Sequence, residues 1–267
     1  MEYLDREGPF MDDMWMKIDS VVVNELKKQL VGRKVIPLTG PLGAGTRFVK
    51  VDDLDKSEEV EDGYVVTRGR QVYEIPQIYA DFWLYWRDVE ATGDVNADLS
   101  AAMRAAQMLA KREDKLIFYG NSNLGIDGIL TVKGSQTVKK GDWSTGEASF
   151  RDVYAGITKL EQSNRLGRYS LVMSPDLFAE LQRIQPGTGT IEADRIKKLI
   201  TGSMVKSTEL KEKTAFLVCG ESYYMDLAIG QDATTTIVDD DDLNQKLRIM
   251  ETLLPRIKAP DAIVVFK

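Results

Sequence analysis

Histidine is absent from the 267 residues. It is the side chain whose ordinary titration falls near neutrality and the commonest metal ligand. Its absence removes Ser-His-Asp and Cys-His nucleophilic chemistry, zinc sites built on imidazole and the Glu-x-x-His di-iron motif. Cysteine occurs once, as Cys219 in the apolar run Phe216-Leu217-Val218-Cys219. No intrachain disulfide can form, and a cysteine in such a run reads as a small buried hydrophobe. No stretch of about 18 apolar residues occurs, as a spanning helix would need. The start, Met1-Glu2-Tyr3-Leu4-Asp5-Arg6, lacks the basic and apolar regions of a secretory signal. These absences set the expectation of a cytoplasmic protein with no membrane contact. Positive charge is also short: 35 Lys and Arg face 42 Asp and Glu, a net charge of −7. Phosphate contacts need clustered cations, so no nucleic-acid partner is expected, and Lys197-Lys198 reads as a solvated helix face.

What remains is an ordinary globular balance, 43 % hydrophobic and 29 % charged, enough for a substantial core. Trp15, Ile18, Val22, Leu26 and Leu30 recur three or four apart, which predicts a helix over Asp12–Val31 with Asp12 and Asp13 as caps and Gly32 as its stop. Residues 33–38 read as extended. From Phe48 to Tyr73 charges dominate and core formers are few, which predicts a two-stranded arm; such an arm cannot bury enough surface alone and implies a neighbour to lie on. Tyr73–Phe82 alternates as a strand. Leu99, Met103, Ala106 and Ala110, flanked by Ala102, Ala105 and Leu109, predict a long helix from an Asp98 cap to about Gly120, with alanines that let other elements approach closely. An α/β stretch follows, with helices after Ser149, from Pro175 and over Glu192–Ile200, a strand at Tyr169–Met173 and a flexible loop at Gln185–Thr190. Five strands are expected at the end: Thr214–Cys219, Tyr224–Ile229, Thr234–Val238, Leu247–Ile257 and Ala262–Phe266.

Several local patterns imitate chemistry. Gly40-Pro41-Leu42-Gly43-Ala44-Gly45-Thr46-Arg47 lacks the Lys-Ser/Thr of a P-loop and reads as a turn. Asp239-Asp240-Asp241-Asp242 lacks the staggered ligands and Gly-enabled turn of a calcium loop and reads as a solvated hairpin tip. Ser203-Met204-Val205-Lys206 fits Ser-x-x-Lys but has neither of the companion motifs that pattern needs. Phe82, Trp83, Tyr85 and Trp86 offer an aromatic platform for a flat ligand, with packing as the default reading. No catalytic residue, metal site or cofactor is expected.

Taken together, Leu30-Val31-Gly32-Arg33-Lys34, Gly40–Gly45, Ile75-Pro76-Gln77-Ile78-Tyr79-Ala80-Asp81-Phe82, Trp86–Ala91, Glu113–Gly120, Gly141-Asp142-Trp143, Met225–Ile229 and Arg256–Ile263 resemble the family 1 encapsulins, the linocin-like shell proteins, in order and spacing from end to end. The details look closest to the iron-storage shells. The resemblance implies an α+β, HK97-type capsid fold. Its parts would be an N-terminal luminal helix and arm (1–47), an extended E-loop (48–74), a peripheral domain with a spine helix (75–124), an axial domain (125–212) and C-terminal strands returning to the peripheral domain (213–267). It implies a homo-oligomer of a multiple of sixty chains. The enclosed cargo would be a ferritin-like iron oxidase or a peroxidase, carrying a C-terminal targeting peptide. The resemblance places cargo docking beside the first helix, where this chain offers Leu26, Leu30, Arg33, Ile36 and Leu38, with Asp232 near the following strands. It places the fivefold pore at Gln185, Pro186, Gly187, Thr188, Gly189 and Thr190, an uncharged ring. A prophage major capsid protein is the alternative within the fold, disfavoured because an amphipathic helix begins at once and leaves no room for a scaffolding segment. A peptidase or bacteriocin is the more distant alternative, disfavoured by the missing histidine.

Overall fold

The structure is a computed structural model and describes residues 10–52, 58–62, 64–67, 70–89, 98–187, 189–241 and 243–267. The first helix, α1 (Asp12–Gln29), buries Trp15, Ile18, Val22 and Leu26, the stripe that its spacing predicts. Its ends differ from expectation. Met11 is the N-cap and no side chain caps it, so Asp12 and Asp13 act in the first turn, where their charges complement the helix dipole. The helix stops before Gly32, which instead opens a short 3-10 turn, Gly32–Lys34, in place of extended chain. Gly32 is required by approach: a Cβ there would overlap Ile117 Cδ1. The expected extension shrinks to β1 (Leu38–Thr39).

The charged stretch does form two-stranded ladders. β2 (Phe48–Asp52) and β3 (Glu58–Glu61) run out, β4 (Tyr64–Thr67) and β5 (Arg70–Glu74) return, with β2 on β5 and β3 on β4 antiparallel. Pro76 separates β5 from β6 (Gln77–Leu84), so the predicted strand over 73–82 is split in two. A short α2 (Trp86–Val89) precedes the longest helix, α3 (Ser100–Tyr119). Leu99, not Asp98, is the N-cap and makes no side-chain cap; Asp98, one residue earlier, accepts the Ser100 N–H at 2.8 Å. The buried face runs through Ala102, Ala105, Ala106, Leu109 and Ala110, while Met103 is partly exposed. Small side chains on that face let α1 lie on one flank of α3 while β6 meets another.

The remaining elements are β7 (Gly120–Asn121), β8 (Ile126–Asp127), β9 (Gln136–Val138), α4 (Ala148–Gln162), β10 (Tyr169–Met173), α5 (Pro175–Glu180), α6 (Glu192–Lys197), β11 (Met204–Lys206), β12 (Ala215–Cys219), β13 (Met225–Asp241), β14 (Asn244–Ile257) and β15 (Ile263–Phe266). α6 ends three residues earlier than expected. The two strands expected over 224–238 are one, β13, continuous through register shifts at 229–231 and 231–234. A bulge lets a strand absorb the Gly230-Gln231-Asp232 interruption without leaving the sheet.

Two sheets result. One has the order β1-β13-β14-β6, and the other β11-β10-β12-β15-β9. The stretch 213–267 is therefore divided: β13 and β14 join the first sheet, while β12 and β15 join the second. There are two cores, and the first sheet contributes to both, since Leu227, Ile229 and Leu253 enter the larger one. The larger one gathers Val153, Ile157 and Leu160 of α4 with Leu171, Phe216, Leu217, Val264 and Phe266. The smaller one gathers α1, the first half of α3, and Phe82, Leu84, Leu247 and Ile249. α3 belongs to both, because Leu116, Ile117 and Phe118 at its far end enter the larger core. β14 does the same, with Leu247 and Ile249 in the smaller core and Leu253 and Leu254 in the larger, so helix and strand together fix the relative position of the two cores.

Candidate functional site

Between α1 and the bulged part of β13 lies a groove of about 230 Å³, lined by Val23, Leu26, Lys27, Leu30, Arg33, Lys34, Asp232 and Ala233. The helix and its C-cap supply Leu26 and Leu30 from the end of the buried stripe, and Val23 and Lys27 from its flank. The bulge turns Asp232 across to the helix, where its Oδ1 accepts Arg33 Nη1 at 2.8 Å. The groove is apolar along its floor and cationic along the rim, at Lys27 and Lys34.

Arg33 is not a free anchor. Its Nε and Nη2 each reach Glu113 on α3 at 2.8 Å, and Nη2 also reaches Glu251 Oε2 on β14 at 2.7 Å. The side chains of Glu113 and Glu251 are fully buried, whereas Asp232 is 60 % exposed. Glu251 Oε1 is buried and meets no donor among the described residues. The next residue of α3, Asp114, accepts the main-chain N–H groups of Val31 and Gly32. Burial opposes charge on Arg33, but the surrounding carboxylates outweigh it and raise its pKa. Burial pushes Asp114 up to about 7, against the two amide bonds that favour its anion.

Of the six residues expected for docking, Leu26, Leu30, Arg33 and Asp232 line this groove. Ile36 is buried in the larger core and Leu38 opens β1 with half its surface exposed, so neither lines it. Val23, Lys27, Lys34 and Ala233 complete the lining. Val23 and Lys27 follow from the helical repeat, since each sits three residues before a groove leucine, Leu26 and Leu30. Glu251 also carried a signal: it falls in the inward alternation Leu247, Ile249, Glu251, Leu253 of β14, where a carboxyl needs a partner.

The loop at 185–190 has a fixed base. Ile184 and Ile191 bridge, and Gln185 N–H donates to Thr190 O at 2.8 Å. Arg183 donates to Gly146 O and to Gln185 Oε1. Buried Glu192 accepts from Ser149 Oγ at 2.8 Å and from Arg195 Nη1 at 3.0 Å. Pro186, Gly187 and Gly189 are exposed at the tip, both glycines at positive φ, and Thr188 lies outside the described residues.

The imitative motifs dissolve. Ser203 Oγ donates to Lys34 O at 3.3 Å, while the Lys206 ammonium lies over the Phe178 ring, so the two ends of Ser-x-x-Lys serve different contacts. The Gly40–Gly45 turn leads into a strand, β2, and not into a phosphate-binding helix. Phe82 is buried while Tyr85 and Trp86 are exposed, so the aromatics do not build one platform. Asp239–Asp241 end the β13–β14 hairpin in solvent, and Asp242 lies outside the described residues. Among the described residues no group of three His, Cys, Asp or Glu is placed to hold a metal, and no helix is long and apolar enough to cross a membrane.

A long helix shared by two cores, a two-stranded arm and two mixed sheets together are the HK97-type capsid fold of shell-building proteins. The match to solved shells is extensive. A virus-like particle from Pyrococcus furiosus superposes with a TM-score of 0.77 over 96 % of this chain and 100 % of that one, at 22 % identity. The capsid of Myoviridae phage XM1 does so with a TM-score of 0.65 over 88 % and 90 %, at 12 % identity. In sequence, the type 1 encapsulin shell protein EncA of Myxococcus xanthus is 36 % identical over 96 % of this chain and 93 % of its own length. The family model described as encapsulating protein for peroxidase matches residues 1–254. The chain belongs to that family, the linocin-like encapsulin shell proteins.

Proposed function

We propose that identical copies close into an icosahedral shell of a multiple of sixty subunits that encloses a cargo protein in the cytoplasm. The chain is a container and not an enzyme. The observation that carries this reading is the arm. Among the described residues, β2–β5 and β3–β4 pair with one another and join neither larger sheet, while Phe48 and Val72 are each 60 % exposed. A two-stranded ribbon with exposed apolar side chains gains stability by lying on a neighbour. Contacts of that head-to-tail kind must close under symmetry or grow without limit. In this reading 48–74 is the E-loop, α3 the spine, and 125–212 the body of the axial domain, with the 185–190 tip around the fivefold axis.

The groove beside α1 takes the C-terminal targeting peptide of the cargo. An apolar floor with a few charged groups on its rim suits a short extended segment. The family description and the resemblance to iron-storage shells support a peroxidase or a ferritin-like iron oxidase as that cargo. Electron microscopy and native mass measurement of the purified chain test the reading: closed particles of a multiple of sixty copies are expected. A monomer or dimer at working concentration would overturn it. Peptidase activity that survived in pure shells and vanished in Ser203→Ala would overturn the container-only assignment.

A further inference from the structure

The joint between α1 and the body holds more carboxyl groups than its cations can neutralise. Arg33 faces Glu113 from α3, Glu251 from β14 and Asp232 from β13. Asp114, beside Glu113 on α3, sits under the amides of Val31 and Gly32. Glu209 adds a further negative charge towards Asp114, though Lys115 pairs with it at 3.5 Å. Lys34, in the same turn as Arg33, turns instead to the Lys28 carbonyl. Asp232 is largely solvated, so two buried carboxyls share one guanidinium and a third, Asp114, has only main-chain amides for partners.

An unpaired buried charge costs several kcal/mol even after relaxation, and two carboxyls in one site do not both ionise readily. The geometry shows where a proton would go. Glu251 Oε2 takes Arg33 Nη2, while its buried Oε1 meets no donor, and the neighbouring polar group is the Glu113 carboxylate. A hydrogen on Oε1 would turn two facing acceptors into a donor and an acceptor.

We propose that this cluster is a proton-operated latch on the first helix. With protons on Glu251 and Asp114 it holds the end of α1 against α3 and β14. When both are lost, the crowded carboxylates repel and the 30–34 joint opens, loosening α1. Burial, then the charge of Glu113, holds Glu251 protonated well above the ordinary carboxylate range, with Arg33 opposing. Burial acts the same way on Asp114, with Glu113 adding to it. Both pKa values are raised in the closed state, so the closed state binds more protons than the open one. Its advantage is complete below the ordinary carboxylate range and is lost as pH rises through the raised values, for Asp114 through about 7. The latch shares Arg33 and Asp232 with the groove, but its two titrating groups, Glu251 and Asp114, do not line the groove, and Asp114 acts on the Val31 and Gly32 amides just after α1.

Hydrogen–deuterium exchange on the full-length assembled protein, at several pH values on either side of neutrality, tests it. Each rate is corrected for the intrinsic pH dependence of amide exchange. Peptides covering α1 and Val31–Lys34 should lose protection by about tenfold per pH unit for each proton released. Those covering β12 should not. The double variant Asp114→Asn, Glu251→Gln keeps shape and hydrogen-bond capacity without the titration, and should flatten the dependence. Corrected protection that is independent of pH in the wild type, or an unchanged dependence in the double variant, would overturn the latch. If the double variant does not fold, infrared spectra of the wild type decide. A protonated-carboxyl stretch that is present in mildly acidic buffer and disappears above neutrality is expected, and its absence overturns the proposal.

Discussion

Asp114 accepts the main-chain N–H groups of Val31 and Gly32, at 3.1 and 2.8 Å, and so closes the end of one helix with a side chain from another. Val31 and Gly32 lie beyond the helical ladder, and α3 supplies the acceptor that their N–H groups need. The contact fixes the turn that carries Arg33 into the groove, where Glu113, Glu251 and Asp232 hold it.

The closeness of that joint makes Gly32 irreplaceable. In Gly32→Ala the new Cβ meets Ile117 Cδ1, with Asp114 Oδ1 3.2 Å away. Overpacking of this kind costs about 1–3 kcal/mol. Denaturant or thermal unfolding of the variant should show that loss, while a similar change at Gly45, where a Cβ would meet nothing within 4 Å, should be near neutral.

Asp226 is the anchor of the first sheet. It binds Arg256 twice at 2.6 Å, Lys258 at 2.9 Å and Thr39 at 2.9 Å. Burial pushes its pKa up, but Arg256 and Lys258 outweigh that and hold it below the ordinary carboxylate value. The folded state therefore binds fewer protons than the unfolded one at this site. The stabilisation is present above the ordinary value and is lost as pH falls through the lowered one. Asp226→Asn removes the counter-charge of two partly buried cations, leaving Arg256 with Lys50 O and Lys258 with Ser222 O, and should cost about 1.5–3 kcal/mol. Unfolding measured across mildly to strongly acidic buffers should also show a weaker acid dependence in the variant.

Docking in the groove is best probed at Val23. Leu26 and Leu30 are almost wholly buried, so Leu30→Asp would disturb the core as well as the groove, whereas Val23 is 39 % exposed. Val23→Glu should leave shells intact and reduce the cargo-to-shell ratio after co-expression by about tenfold or more, the effect of a charge in an apolar peptide pocket. Full loading would remove the groove from the docking proposal.

The outer arm should be needed for assembly, whereas Val49 and Tyr73 at its base pack into the larger core. Removing residues 53–69 and joining the ends should give small oligomers by size-exclusion chromatography and mass photometry. Closed shells from that variant would show that another surface drives closure.

If the 185–190 tip lines the entry route, Pro186→Asp would place a ring of carboxylates there. Uptake of cations into loaded shells should change, and the change should fade with added salt, since exposed charges are screened over about 10 Å at 0.1 M. Uptake indifferent to both would put the route at other subunit junctions.

The amino-acid pattern alone determined most of the elements. The 3.6-residue stripe of α1, the alanine-rich face of α3, Pro175 at the start of α5 and the alternation in β14 are local, and each element formed where its period placed it. The arm was legible for the opposite reason: a stretch poor in core formers has no place in a core. The absence of histidine bounded the chemistry before any contact was known. Four of the six expected docking residues meet in one groove because three of them sit on or just after one helix.

Tertiary structure decided what depends on approach between distant segments. Gly32 reads as a helix stop in one dimension, and only Ile117 on the facing helix shows that the space for a side chain is missing. Residues 224–238 read as two strands, because a bulge is chosen by the partner ladder of β14 and not by the residues inside it. Arg33 reads as an open cation, yet Glu113 and Glu251 occupy it from 80 and 218 residues away. Local sequence carries backbone preference and hydrophobic period. It does not carry the sum of charges that folding encloses in one small volume, and at the end of α1 that sum sets the chemistry.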